Sequence, residues 1–133
     1  MILDTSAVVA MLFDEPDAED LRRRLAAAPR RLISAGTLLE ASMVIEARRG
    51  EAAGRELDLF LHRARVEIVP FDDEQADAAR AGWRRYGKGR HRAGLNFGDL
   101  FSYALARSTG EELLYEGDDF TLTDLVAPPG GDC

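Results

Sequence analysis

The chain has 133 residues and a formal net charge of −7, from 17 basic and 24 acidic side chains. Its length fits one domain with a hydrophobic core, and no apolar run reaches the roughly 18 residues that a membrane-spanning helix needs. The single cysteine, Cys133, excludes an intramolecular disulfide framework, so we expect a reducing cytoplasm. We expect one domain over residues 1–127 and a disordered tail over residues 128–133, which are rich in proline and glycine.

Short apolar runs alternate with helical patterns along the chain. In chain order, the predicted elements are a strand over residues 1–4, helices over 7–13 and 16–28, a strand over 31–34, helices over 37–49 and 51–64, a strand over 66–71, a helix from 73 to 86, a loop over 87–95, a helix that Asn96 caps and that ends at Gly110, and a strand over 112–116. A weak further strand signal lies near Leu125 and Val126.

Strands that alternate with helices pair in parallel through right-handed crossovers. The sequence therefore predicts an α/β fold, a three-layer α/β/α sandwich with a short parallel central sheet. The first and third strands are apolar runs, which predicts that both of their faces are covered.

Acidic residues occur where apolar elements begin or end. Asp4 closes the first strand, Glu40 and Asp99 lie near the starts of two helices, and Asp118 and Asp119 follow the last strand. In parallel sheets, ligands bind beyond the carboxyl ends of the strands, so we expect these acids to converge on one rim. Clustered carboxylates repel each other unless a divalent cation holds them. The pattern therefore predicts a Mg²⁺ or Mn²⁺ site and, with it, phosphodiester chemistry.

Each acid also has a structural explanation. Asp4 can cap the first helix, and Thr37-x-x-Glu40 fits a capping box. Helical spacing, however, places Glu40 on the same face as Met43, Val44 and Ala47, which are apolar. An acid such as Asp99 in a first helical turn interacts favourably with the helix dipole. Singly these signals are weak, and their joint placement carries the metal-site prediction.

Five basic residues are concentrated at the end of the fifth predicted helix and in the loop after it. They are Arg84, Arg85, Lys88, Arg90 and Arg92. The negative net charge argues against a nucleic-acid partner, but the local distribution of charge decides the question. If this run borders the acidic rim it binds phosphate; otherwise it is a solvated loop. His91 in the same loop is typical of a surface residue rather than a general base.

Four short motifs occur in the order and spacing of PIN domains. They are Asp4-Thr5-Ser6, Leu39-Glu40-Ala41-Ser42, Phe97-Gly98-Asp99-Leu100 and Gly117-Asp118-Asp119-Phe120. Over roughly residues 1–125 the chain resembles this family, and more specifically the VapC-type toxins of bacterial toxin–antitoxin modules. The resemblance implies a metal-dependent endoribonuclease that uses Mg²⁺ or Mn²⁺, cleaves RNA, forms a homodimer and is inhibited by a VapB-like antitoxin.

The resemblance also implies roles for individual residues. Asp4, Glu40 and Asp99 fall on the three invariant acids of the family, and Asp119 is the better match for the fourth. Asp118 is the alternative, because Gly117 stands where many members carry another acid. Our hypothesis is that Asp4 and Asp99 hold the main metal ion, that Asp119 and Glu40 complete the site directly or through water, and that the five basic residues bind the RNA.

Three other functions compete with this one. The first is a catalytically silent module of the same fold that only binds a partner. The second is a nuclease of the same fold that acts on DNA. The third is a phosphoacceptor receiver domain, which usually needs an aspartate after its third strand and a later lysine. The third predicted strand ends in Val69-Pro70-Phe71 and the only lysine is Lys88, so the receiver domain is disfavoured.

Overall fold

The computed structural model describes residues 1–125, and residues 126–133 lie outside the described part. The predicted tail over 128–133 and the second half of the possible strand near Leu125 and Val126 fall in that outside part. Leu125 itself lies in a turn. None of the described helices is long and apolar enough to cross a membrane.

Strands and helices alternate through the described residues, in the order that the sequence predicts. They are β1 (Ile2–Leu3), α1 (Thr5–Leu12), α2 (Ala18–Ala27), β2 (Leu32–Ser34), α3 (Ala35–Arg49), α4 (Glu51–Arg63), β3 (Glu67–Val69), α5 (Asp73–Tyr86), α6 (Phe97–Thr109) and β4 (Leu113–Leu114). Several predicted boundaries are wrong by one or two residues: α2 begins at Ala18, and the strands are shorter than the apolar runs that contain them.

The four strands form one parallel sheet in the order β3-β2-β1-β4. Successive strand residues point to opposite faces of the sheet. Ile2 and Leu32 accordingly pack in one core with α6, whereas Leu3 and Ile33 pack in a second core with α1, α3 and α4. This arrangement confirms the predicted α/β/α sandwich with a short parallel sheet.

The prediction that β3 is covered on both faces is wrong. β3 is an edge strand, and Ile68 at its centre is 50% exposed. An apolar run of this length does not distinguish a central strand from an edge strand, because the pairing partners lie elsewhere in the chain.

Two helix starts differ from the predicted ones and bear on the acids. α1 begins at Thr5 rather than at residue 7, and its N-cap is Asp4, which confirms the capping role that the sequence allows for this acid. The N-cap of α3 is Ser34, whose side chain accepts a hydrogen bond from the backbone N–H of Gly36, so the predicted capping box between Thr37 and Glu40 does not form. Asn96 caps α6 as predicted.

Candidate active site

Asp4 is a buried carboxylate at the carboxyl end of the central strand β1, with 4% of its surface exposed. Its Oδ2 accepts hydrogen bonds from the backbone N–H (3.1 Å) and the hydroxyl (2.7 Å) of Ser6, which is the helix-capping interaction. Its Oδ1 accepts a 2.6 Å hydrogen bond from the hydroxyl of Ser102 on α6. Burial raises the pKa of Asp4, although these hydrogen bonds oppose the shift. Asp4 is therefore both a cap and a charge fixed in position by two other elements.

Ser102 is a site residue that the sequence analysis missed. It is fully buried in α6, and its hydroxyl oxygen lies 3.3 Å from the hydroxyl of Thr37 on α3. A polar residue three positions after Asp99 lies on the same helical face, which is the sequence signal that could have identified Ser102. Ser102 thus connects the Asp4 carboxylate to the face of α6 that carries Asp99.

Ser6 connects the start of α1 to the segment that follows β4. Its hydroxyl donates to Asp4 and accepts a 3.0 Å hydrogen bond from the backbone N–H of Glu116. This contact brings the chain that carries Asp118 and Asp119 to the same edge of the sheet as Asp4.

Asp99 forms a capping box with Asn96 at the start of α6. The backbone N–H of Asn96 donates to Asp99 Oδ2, and the backbone N–H of Asp99 donates to Asn96 Oδ1, both at 3.0 Å. Burial raises the pKa of Asp99 to about 7, the hydrogen bond from Asn96 opposes this shift, and the negative charges of Asp4, Asp119 and Glu40 add to it. The four predicted acids therefore lie close enough to affect one ionisation.

Glu40 extends from α3 toward the first turns of α1 and α6. Its Oε1 accepts a 2.5 Å hydrogen bond from the hydroxyl of Thr5. A methyl group added to Gly98 would overlap the Glu40 carboxylate, so this side chain lies directly against the backbone that precedes Asp99. The predicted apolar face is buried only in part: Val44 packs against the core, whereas Met43, one turn further along α3, is 64% exposed. Glu40 faces the rim rather than the core.

Asp118 and Asp119 lie in an exposed turn after β4. Phe120 next to them is 1% exposed and packs edge-to-face on Tyr115, with ring centroids 5.2 Å apart, which holds the turn against the sheet. The charge of Asp119 raises the pKa of Asp99, whereas the charge of Asp118 acts on Tyr115. These different neighbours favour Asp119 as the fourth acid, and that choice stays a prediction.

The acids are of the kind that binds a divalent cation. Among residues 1–125, no group of three Asp, Glu, His or Cys side chains is close enough together to coordinate a metal ion on its own. Magnesium usually keeps several water ligands and takes only one or two protein carboxylates. The donors here are all carboxylate oxygens, which suit Mg²⁺ or Mn²⁺. A cation at this rim would also offset the repulsion that raises the pKa of Asp99.

The predicted basic residues do not all face the same way. Arg84 and Lys88 line a cavity beside Asn96, and Arg90 lies over the ring of Trp83 at 4.6 Å. Arg85 instead approaches Asp124 Oδ2 at 3.7 Å.

Arg92 and His91 are the other two residues of this loop that the sequence analysis considered. Arg92 is exposed, and Nδ1 of His91 accepts a hydrogen bond from the backbone N–H of Ala93. His91 therefore stabilises its own loop.

The sequence profile of the PIN domain matches residues 1–125. A protein named ribonuclease VapC from Mycolicibacterium smegmatis is 60% identical over 127 residues, which cover 96% of this chain and 98% of the relative. Ribonuclease VapC30 from Mycobacterium tuberculosis is 59% identical and covers 95% and 96% of the two chains. The chain belongs to the VapC family of PIN-domain proteins. The family resemblance carried by the four motifs is confirmed.

Solved structures support the fold of this VapC-family chain. VapC20 from Mycobacterium tuberculosis, described as a sarcin-ricin loop cleaving toxin, superposes with a TM-score of 0.75 at 19% identity, over 94% of this chain and 95% of that one. VapBC2 from Rickettsia felis, solved with a DNA fragment from its promoter, gives a TM-score of 0.71 at 21% identity and covers 94% and 93%. At these identities the likeness shows the fold.

The raised pKa of Asp99 predicts a pH dependence of stability in the absence of metal. An aspartate in the unfolded chain titrates near about 4, whereas Asp99 in the folded chain titrates at about 7. Between these values the folded state binds the extra proton, so Asp99 stabilises the fold at low pH and this contribution is lost as the pH rises toward 7. The free energy of unfolding of the wild type relative to Asp99→Asn should therefore fall between about pH 4 and about pH 7.

Urea unfolding in the presence of a chelator measures the difference in free energy of unfolding between the wild type and Asp99→Asn. Asp58→Asn, on the exposed surface of α4, is the matched control and should show no such trend relative to the wild type. The raised pKa of Asp99 would be contradicted if the free energies of unfolding of the wild type and of Asp99→Asn changed in parallel with pH across this range.

Proposed function

We propose that this chain is a metal-dependent endoribonuclease and the toxin of a VapBC-type toxin–antitoxin module. One observation carries the proposal: a buried Asp99, with its pKa raised to about 7, lies among Asp4, Asp119 and Glu40 at the carboxyl edge of the sheet. The relatives of 59–60% identity that are named ribonucleases support the reaction class. Intact acids at all four positions favour an active enzyme over a silent binding module.

Asp4, Asp99 and Asp119 would hold a Mg²⁺ or Mn²⁺ ion, with Asp118 as the less favoured substitute for Asp119. When bound, such an ion polarises a phosphoryl oxygen and lowers the pKa of a coordinated water. The hydroxyls of Ser6 and Ser102 fix both oxygens of Asp4.

Glu40 is our candidate for the general base. Thr5 holds its Oε1, and the other oxygen lies against Gly98. That second oxygen accepts the proton of the water that attacks the scissile phosphorus. A proton acceptor held by one hydroxyl and by close backbone contact needs little reorganisation at the moment of reaction.

The exposed surfaces next to the acids fit an RNA substrate and a protein inhibitor. Arg84 and Lys88 near the start of α6 would bind RNA phosphates. Leu39 and Met43 are 63% and 64% exposed on α3 beside Glu40, and apolar side chains at this position suit a VapB-like antitoxin that covers the site. The Rickettsia felis relative is named as a VapBC assembly, which supports such a partner. A homodimer and a cytoplasmic location stay part of the proposal.

Removing either buried carboxylate charge should abolish cleavage while keeping the fold. The remaining oxygen of asparagine can accept from the N–H of Ser6 or of Asn96, and the Ser102 hydroxyl can accept from the new NH₂ group at position 4, so both variants should remain folded. We expect Mg²⁺-dependent cleavage of structured RNA to fall by on the order of 100-fold or more. The control variant Asp58→Asn should cleave the RNA at the wild-type rate. A DNA substrate of the same base sequence tests whether the enzyme acts on DNA instead of RNA. A folded Asp99→Asn variant with wild-type cleavage would contradict the proposed site.

Gly98→Ala tests the position of Glu40 without removing any acid. The added methyl group must displace the Glu40 carboxylate, whereas alanine is favoured over glycine in a helix by up to about 1 kcal/mol. We expect an unchanged or higher melting temperature together with a fall in kcat of roughly tenfold or more.

Gly54→Ala is the matched control for this substitution. It lies in α4, and the atoms nearest to its added methyl group likewise belong to a flexible glutamate side chain, that of Glu46. Gly54→Ala should leave kcat unchanged, and equal kcat values for Gly98→Ala and the wild type would remove Glu40 from the mechanism.

A further inference from the structure

Two large aromatic side chains are exposed beside the acidic rim. Trp83 on α5 is 43% exposed, and Phe97 at the start of α6 is 78% exposed. Both line a cavity of about 720 Å³ between these helices. Exposed aromatic surface of this size is costly in water and usually marks a binding surface.

Trp83 is held in place although it is exposed. A methyl group on Gly87 would overlap the indole ring, so the absence of a side chain there lets the ring lie against the backbone. The guanidinium of Arg90 lies 4.6 Å from the ring centre, and the Nε of Arg90 donates to the backbone oxygen of Arg84 at 3.1 Å. Contacts on two sides restrict the ring, which makes Trp83 a rigid surface for stacking.

Phe97 belongs to a row of aromatic rings. It packs edge-to-face on Phe101 at 5.0 Å, and Phe101 packs edge-to-face on Phe71 at 4.8 Å. A methyl group on Gly36 would overlap Phe101, so this ring lies directly on the first turn of α3. A second, smaller cavity of about 270 Å³ lies along this row and shares Trp83 and Phe97 with the larger one.

Three cationic side chains surround the aromatic surface. Arg80, Arg84 and Lys88 line the larger cavity, all three residues are exposed, and none of them forms an ion pair with another residue of the described chain. In a chain of net charge −7, cations without a carboxylate partner beside exposed rings provide a site for an anionic aromatic ligand.

The cavity lies next to the start of α6. Asn96 lines it, and the two hydrogen bonds of the capping box, each from a backbone N–H to a side-chain oxygen, join Asn96 to Asp99. Phe97 precedes Asp99 by two residues, so a ligand that contacts Phe97 lies at the helix turn that carries a proposed metal-binding carboxylate.

We propose that this surface, formed by Trp83, Phe97, Arg80, Arg84 and Lys88, binds an unpaired nucleobase of the RNA next to the scissile phosphate. The base stacks on Trp83 and Phe97, and the three cations hold the flanking phosphates. Single-stranded RNA is commonly recognised by bases that stack on aromatic and arginine side chains. The inference rests on the proposed ribonuclease function and adds a determinant of which nucleotide is presented to the site.

The cations favour RNA over a second protein copy as the occupant. A self-associating surface would bring two sets of Arg80, Arg84 and Lys88 together in a symmetric dimer, and like charges opposed in this way are unfavourable. A nucleotide supplies both the flat apolar ring and the negative charge that the surface lacks.

Trp83 is the only tryptophan of the chain, so intrinsic fluorescence reports on it alone. The Asp99→Asn variant of the full chain prevents cleavage, and the probes are a short single-stranded RNA and an abasic ribose-phosphate oligomer of equal length and charge. We expect the RNA to quench Trp83 fluorescence and to bind roughly tenfold or more tightly than the abasic oligomer. Equal affinity for the two probes, or binding without a change in Trp83 emission, would overturn the proposal.

Kinetics with the active enzyme separate stacking from a general structural effect. Trp83→Ala and Phe97→Ala should raise KM for single-stranded RNA roughly tenfold with little change in kcat. Trp83→Phe should restore most of the loss because it keeps a ring. Leu59→Ala is the control, since Leu59 is 45% exposed on α4 and lines neither cavity.

The outcomes also distinguish the occupants and the underlying function. Loss of self-association in Phe97→Ala, with KM unchanged, would assign the surface to a second copy of the chain and overturn the proposal. Failure of the wild type to cleave RNA would refute the proposed function, whereas unchanged KM in both alanine variants of a cleaving enzyme would refute only the stacking surface.

Discussion

The burial of the Asp4 carboxylate determines how the rest of the site is built. A charge that is 96% removed from solvent needs hydrogen-bond donors, and here they come from Ser6 on α1 and Ser102 on α6. Ser6 also binds the backbone of Glu116 after β4, so three segments meet at one carboxylate. Because Asp4 follows the central strand directly, the sheet fixes its position and these donors fix its orientation.

The same arrangement works against stability. Burial raises the pKa of both Asp4 and Asp99, which means that ionising them is harder in the folded chain than in water. Neutral polar side chains such as Ser or Asn could make the same helix-capping hydrogen bonds without burying a carboxylate. The retention of two buried acids, together with Glu40 and Asp119 close enough to raise the pKa of Asp99, indicates a site whose function requires negative charge.

Local patterns predicted the layer architecture and the edge where the acids meet, because strand and helix periodicity and the geometry of parallel sheets are local or general properties. They did not predict the contacts that depend on partners far along the chain. Ser102 is 98 residues from Asp4; its spacing places it on the same face of α6 as Asp99, but no local pattern indicates the hydrogen bond to Asp4. The edge position of β3 and the N-cap at Ser34, which removes the capping-box explanation for Glu40, likewise depend on tertiary packing. The roles of Asp118 and the basic loop remain predictions for the same reason.

The central claim is that the acids at this rim share one divalent cation. Calorimetric titration of Mn²⁺ into the full chain tests it most directly. We expect one bound ion, an affinity at least about tenfold weaker in Asp4→Asn and in Asp99→Asn, and wild-type affinity in Asp58→Asn. An absence of Mn²⁺ binding to the wild type, or equal affinity in the wild type and Asp99→Asn, would contradict the account.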